Sequence, residues 1–352
     1  MVHVTPLPFG AARKLTGWAE RGIPVRLPAA RADQRMLGRR HENRLWAART
    51  HGYWFFMTSL GAVFRPQLPP ERLREVVRAA DAAGLEELWL WEDCFLESGI
   101  ATAAAALAWS ERLRVGVGLL PVPLRNVALT SMEAATLHRL FPGRVALGVG
   151  HGVQAWMGQV GARVESPLTL LREHLTAMRA LLRGERVTVD GRYVKLDGVA
   201  LDWPPATAPS VLAGATGPRS LRLTGEAADG TILDAAVPPD GVRNARRLID
   251  EGRTAAGRTG RHEIVVYLHT ATGPGAESRL AAELERSGGA SAPGLGVAGD
   301  AGAAAKAVQR LVDAGADTVV LQPTADEPDR EGFVRFVAEE VRPLVPRMPD
   351  GP

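Results

Sequence analysis

A single cysteine, Cys94, occurs in 352 residues, so no intramolecular disulfide can form. No apolar run approaches the roughly 20 residues that a membrane-spanning helix requires. Together these point to a reduced, cytoplasmic protein without a membrane partner. The eight histidines show no HxxxH or HExxH spacing, and His138 and His174 fall inside helical stretches, so no metal site is expected. There is no G-x-S-x-G elbow and no Walker loop, which leaves nucleophilic hydrolysis and nucleotide triphosphate hydrolysis without a motif.

An excess of positive charge over the whole chain is also missing. The formal charge is +3, but residues 1–50 hold ten Lys and Arg against Glu20, Asp33 and Glu42, leaving 32 basic and 36 acidic residues in the remainder. The body of the chain is mildly acidic, which argues against nucleic acid as a partner. The first 52 residues have neither a signal-peptide core nor a sustained period, although their arginine content is transit-peptide-like. They read as a disordered, Arg-rich extension. Met57, opening MTSLGAVFRPQLPPE, is a second candidate start.

What is present is alternation. β-rich runs and amphipathic helical stretches follow one another about eight times from Met57 onward, the pattern of a parallel sheet with crossover helices. Strands are expected near Phe55–Phe64, Glu87–Trp91, Leu113–Leu120, Arg144–Val149, Ser210–Gly214, Gly230–Asp234, Glu263–Thr270 and Thr318–Gln322. Helices are expected over Pro70–Ala83, Ile100–Ser110, Ala128–Leu140, Ser166–Leu182, Arg219–Ala228 and, closing the chain, Arg330–Leu344. An Asp190-Gly191 turn between VTV and YVKL predicts a hairpin inserted after the fourth strand. Gly273 to Asp300 is rich in Gly, Ala and Ser, predicting a mobile loop around a short helix, either a lid or a disordered stretch. Eight strand-helix units favour a closed (β/α)₈ barrel over an open doubly wound sheet. The expected domains are 53–346 for the barrel and 347–352 for a tail.

In such barrels chemistry sits at the strand C-termini. The second strand ends in Trp91-Glu92-Asp93-Cys94, where two acids close an apolar run. Helix capping and simple exposure are alternatives, but the next helix starts near Ser98, too late for Asp93 to cap it. Cys94 also fits a small buried hydrophobe. Gly116 and Gly118 interrupt the third strand, marking a bulge or the close approach of a ligand. The fourth strand ends Gly148-Val149-Gly150-His151-Gly152. A dinucleotide fingerprint is disfavoured there, because the third glycine falls one residue early and no ribose-binding acid follows. Gly214-Ala215-Thr216-Gly217-Pro218 feeds a helix start suited to a phosphate, with Arg219 adding charge. Either glycine loop alone is equally compatible with a tight turn. Trp89, Trp91, Trp156 and Trp203 read as core or pocket wall.

The combination LGAVFRPQLPPE, LEELWLWEDCF, LRVGVGLLPVPLRN, LFPGRVALGVGHG, GATGPRSLRLTGEAADG and LVDAGADTVVLQP resembles the luciferase-like monooxygenase superfamily, over about Met57 to Leu344. The resemblance implies a barrel binding FMN or the deazaflavin F420. It places Asp93 and Cys94 against the ring and a non-prolyl cis peptide at Gly118-Leu119 behind it. The strand-four loop falls at His151-Gly152 and the phosphate loop at Gly214, Ala215, Thr216 and Gly217. Related deazaflavin sugar-phosphate dehydrogenases carry histidine where this chain has Cys94 and glutamate where it has Val153, so their substrate does not carry over. Glu92, Asp93 and His151 are the candidate proton donors. The expected activity is hydride transfer between F420 and a small organic substrate. The alternatives are an FMN-dependent monooxygenase and a non-catalytic flavin-binding barrel. A homodimer is expected from the resemblance.

Overall fold

The computed structural model describes residues 58–288 and 294–346. The expected N-terminal extension (1–52) and C-terminal tail (347–352) lie outside the described residues. The first half contains β1 (Ser59–Val63), α1 (Leu73–Ala83), β2 (Glu87–Leu90), α2 (Gly99–Trp109), β3 (Arg114–Pro121), α3 (Val127–Leu140), β4 (Val145–Gly150), α4 (Gln154–Gln159) and α5 (Pro167–Leu182). Next come β5 (Val187–Asp190), β6 (Lys195–Val199), β7 (Val211–Gly214), α6 (Pro218–Ala227), β8 (Gly230–Leu233), α7 (Pro239–Ala255) and β9 (Glu263–Ala271). The last are α8 (Ala276–Arg286), β10 (Gly296–Ala298), α9 (Ala301–Asp313), β11 (Thr318–Pro323) and α10 (Arg330–Arg335).

The boundaries follow local chemistry. The side chains of Ser98, Asn126 and Ser166 cap α2, α3 and α5, taking up N–H groups that a helix start leaves unpaired. α1 buries Leu73, Val76, Val77 and Ala80 on one face and stops at Gly84, which adopts the left-handed conformation. Strands β1-β2-β3-β4-β7-β8-β9-β11 pair in parallel in that order, and β11 returns to β1 through Leu60↔Val319, closing the expected eight-stranded barrel. The β5–β6 hairpin is antiparallel and stands outside it. β10 extends the sheet along the upper half of β9.

Three expectations change. α7 and α9 occupy connections that the sequence reading left unassigned, although α7 buries Val242, Ala245, Leu248, Ile249 and Gly252 at helical spacing. The described part of Gly273 to Asp300 holds an eleven-residue helix and a strand rather than a loop around a short helix. The closing helix is not one piece: α10 passes into a π-helical Phe336–Val341 and a 3₁₀ turn at Arg342–Leu344, where Pro343 removes a backbone donor.

Two apolar clusters divide the interior. One lies between sheet and helices; the other fills the barrel with Val63, Trp89, Ala146, Leu212, Ile232, Val265, Tyr267 and Val320. Trp89 and Tyr267 meet edge to face at 6.0 Å and form the centre of that plug.

Candidate active site

Strand alternation carries the inward register upward from the plug. Two residues beyond Val63 is Arg65, beyond Trp89 is Trp91, beyond Tyr267 is His269, and beyond Val320 is Gln322. Trp91, Tyr267, His269 and Gln322 line a cavity of about 480 Å³ at the strand C-terminal end, a volume suited to a cofactor-sized ligand. A second cavity of about 640 Å³ lies at the opposite end, near Arg114, His138 and Glu263. We assign the site to the former, because the βα loops converge there.

Its floor is built by glycines and one leucine. β3 loses register with β4 between Val117 and Leu120, and Gly118-Leu119 in that bulge is a cis peptide, as the resemblance implied. A second non-prolyl cis bond, Cys94-Phe95, was not anticipated. A Cβ on Gly116 would meet the Trp89 ring at 2.4 Å, and one on Gly118 would meet the Tyr267 hydroxyl at 2.2 Å. The glycines of this strand thus answer to side chains inside the barrel. Leu119 lies over two more: a Cβ on Gly150 or Gly214 would strike its Cδ2 at 2.5 and 2.2 Å. The result is a flat apolar seat across β3, β4 and β7.

Polar groups ring that seat. Asp93 lines the cavity, and burial raises its proton affinity while Arg65 opposes the effect. His151 Nε2 lies 3.1 Å from Ser220 Oγ; its Nδ1 is buried and has no hydrogen-bond partner among the described residues. Burial holds the imidazole below its usual range, hence neutral near pH 7. His269 Nδ1 is 3.3 Å from Gln322 Nε2, and burial likewise depresses it. Glu92 is engaged elsewhere: it accepts from Arg125 at 2.5 and 3.1 Å and from the Gly99 N–H at 2.8 Å, fastening the loop to α2. Its carboxyl oxygens are thus already engaged by Arg125 and the start of α2 where the residue lines the cavity.

Of the residues singled out in the sequence, Glu92, Asp93, Gly118, Leu119, His151, Gly152, Gly214, Ala215 and Thr216 meet at this cavity. Cys94 and Gly217 do not line it. After Asp93 the chain turns away, closed by the Leu96 N–H on the Asp93 carbonyl at 2.8 Å, and burial with the neighbouring Glu92 and Asp93 raises the Cys94 thiol. Gly217 is the N-cap of α6, whose first N–H groups no side chain caps. Sequence reading missed Arg65, Tyr267, His269 and Gln322. The signal for Tyr267, His269 and Gln322 was the period of two along strands already assigned; Arg65 falls one residue past the first of those strands.

A family model described as luciferase-like monooxygenase matches residues 50–340. The chain belongs to that family. Among curated relatives, the 5,10-methylenetetrahydromethanopterin reductase of Methanolobus tindarius is 30% identical over 200 residues, 57% of this chain and 61% of the relative. The chain thus matches about three fifths of that relative's length. Among solved structures, the coenzyme F420 dependent tetrahydromethanopterin reductase from Methanopyrus kandleri superposes with a TM-score of 0.71 at 22% identity, covering 82% of this chain and 100% of the other. A type II Baeyer-Villiger monooxygenase from Pseudomonas putida in complex with FMN gives 0.66 at 16%, covering 82% and 98%. These two likenesses establish the fold.

In this luciferase-like chain the residues fit a tricyclic ring. The Leu119 seat offers a flat face, the cavity has the volume, and the buried His151 Nδ1 is left for a partner. Val153, 47% exposed, lines the wall where the sugar-phosphate enzymes were expected to differ, and it brings no carboxylate. Among the described residues no group of acidic, histidine or cysteine side chains is placed to hold a metal ion.

Proposed function

We propose that the protein is an oxidoreductase that transfers a hydride between deazaflavin F420 and a small organic substrate in the 480 Å³ cavity. The observation that carries this reading is the pairing of a glycine-cleared apolar seat with a half-buried acid, Asp93, at its edge. The F420-dependent relative of like fold and the methanopterin reductase similarity support it. A deazaflavin, when bound, exchanges a hydride with substrate and lacks the oxygen chemistry of a flavin.

The chain's own residues supply the rest. Leu119, lying over Gly150 and Gly214, would form the apolar floor on which the cofactor ring is held. Trp91 and Trp156 exclude water from the cavity. Asp93, which holds its proton above the usual carboxylate range, donates it to the substrate atom that gains negative charge. His151, neutral and steadied by Ser220, offers Nδ1 as a hydrogen-bonding group. No Lys or Arg lines the cavity among the described residues, so a phosphate would rest on Gly214 to Thr216 and the uncapped start of α6. A cytoplasmic location is consistent with the lone thiol, and no helix among the described residues is long and apolar enough to cross a membrane. A second copy of the chain is the macromolecular partner we propose.

The test is titration of the purified protein with F420 and with FMN, following ligand fluorescence and melting temperature. A ligand that binds only the native state stabilises it by about 2.7 kcal/mol at a hundredfold excess over Kd. Stabilisation by F420 alone is the expected outcome. Stabilisation by FMN, with oxygen uptake dependent on reduced FMN, would replace hydride transfer by monooxygenation. Binding without turnover of any kind would leave a non-catalytic flavin-binding barrel.

A further inference from the structure

Arg65 follows β1 in the inward register and is buried beneath the rim of the cavity. Its guanidinium lies 5.7 Å from the centre of the Trp91 ring. Nη1 donates to Glu283 Oε1 at 2.6 Å and to the Pro323 carbonyl at 3.0 Å, and Nε donates to Gln67 at 3.3 Å. Glu283, on α8, is 2% exposed and also accepts from Arg286 at 2.7 Å and from the Ala325 N–H at 2.9 Å. An ion pair this deeply buried adds little net stability, because desolvating both charges offsets their attraction. What it does fix is the place and the effective strength of the Arg65 charge beside Trp91, two residues before Asp93.

We propose that Glu283 is a positioning residue: by holding and neutralising Arg65 it keeps that guanidinium from ionising Asp93, and so sets the protonation of the acid at the cavity edge. The inference rests on Asp93 as the proton donor. Burial raises Asp93, and Arg65 is the cation that opposes it. At Glu283 burial acts in the same upward sense, yet the Ala325 N–H, Arg286 and Arg65 hold its carboxyl down at about 2, so it is a permanent counter-charge near neutrality. The other groups around Asp93 leave this balance to Arg65. Glu92, adjacent in the chain, is paired with Arg125. Tyr267, from β9, is a buried phenol whose burial keeps it neutral, and His269 from the same strand is depressed by burial. Asp234, after β8, lines the far side of the cavity and accepts from the Ala236 N–H.

The experiment follows the Asp93 carboxyl by carbon NMR in the full-length, ligand-free chain, labelled at aspartate and assigned through Asp93→Asn. Glu283→Gln keeps the shape of the side chain and removes its charge. It is expected to lower the Asp93 midpoint by about one pH unit or more, the effect of an uncompensated arginine on a carboxylate. Glu283→Asp should restore the midpoint and Arg65→Met should raise it. A merely structural Glu283 would lower the melting temperature of Glu283→Gln and leave the midpoint where it was, and that result overturns the proposal. Should Glu283→Gln fail to fold, an unchanged midpoint in Arg65→Met overturns it equally. Because no cofactor is present, these readings stand apart from the proton-donor role of Asp93, which fails on its own if Asp93→Asn retains full turnover, and from the hydride-transfer assignment, which the F420 and FMN titration tests.

Discussion

Trp89 fills the barrel so completely that the strand facing it has room for backbone alone, which is why Gly116 and Gly118 stand where a β-branched residue would otherwise be favoured. At Gly118 the obstruction is specific: the added carbon would sit 2.2 Å from the Tyr267 hydroxyl and 3.1 Å from Trp89. Gly118→Ala is therefore expected to cost about 1–3 kcal/mol, the usual penalty of overpacking, and to weaken ligand binding on the seat above. Tyr267→Phe removes the nearer atom. In the Gly118→Ala background it should recover part of the loss, so a double-mutant cycle by urea denaturation should show favourable coupling. Purely additive losses would mean that the hydroxyl is not what excludes the side chain. At this scale the strand glycines were legible as close approach, but not what approaches, since Tyr267 lies 149 residues away along the chain. The same holds for Glu92: its composition suits an acid-base role, and only the fold reveals Arg125, 33 residues on, holding it.

Between elements, Asp229 is the clearest joint. It stands between α6 and β8, in the ADG block that the sequence singled out, and its carboxylate accepts from Arg179 of α5 at 2.9 and 2.7 Å, from Arg258 at 2.7 Å and from the Val211 N–H at 3.1 Å. Burial pushes its proton affinity up, but Arg179, the Val211 N–H and Arg258 outweigh it, so the net direction is down. The native state therefore binds this proton more weakly than the unfolded chain does. The stability involved is present above the ordinary carboxylate value of about 4 and is lost as pH falls below it. Asp229→Asn is expected to cost about 2 kcal/mol at pH 7, less than a fully buried pair would because the side chains are partly solvated. The cost should shrink at pH 3, as paired urea titrations would show. An equal loss at both pH values would mean that the arginines contribute no charge pairing. Elements with a clear apolar period, such as α1 and α5, were legible, whereas Gly273 to Asp300 was not. Its composition signals mobility, and what helps fasten α8 is a buried carboxylate, Glu283, whose partners include Arg65 just after β1 and the Ala325 N–H in the loop after β11.

For the molecule as a whole, eight strand-helix units were enough to read the barrel, because a parallel sheet with right-handed crossovers and that many strands closes on itself. The outer surface carries information of a different kind. α3 buries one side against the barrel yet exposes Leu129 at 47%, Met132 at 57% and Leu140 at 65% along a line of helical spacing, with Leu124 just before it. Large exposed apolar side chains gathered on one helix face are candidates for an interface, and such a face can pack against its own copy about a two-fold axis. Light scattering coupled to size exclusion should give about twice the 37.6 kDa chain mass at micromolar concentration. Met132→Arg with Leu129→Glu should return it to the monomer, and because both side chains point away from the barrel the melting temperature at low protein concentration should be little changed. A wild-type monomer at high concentration would leave the stripe without a self-complementary partner. A dimer that survives the double substitution would place the contact on another face.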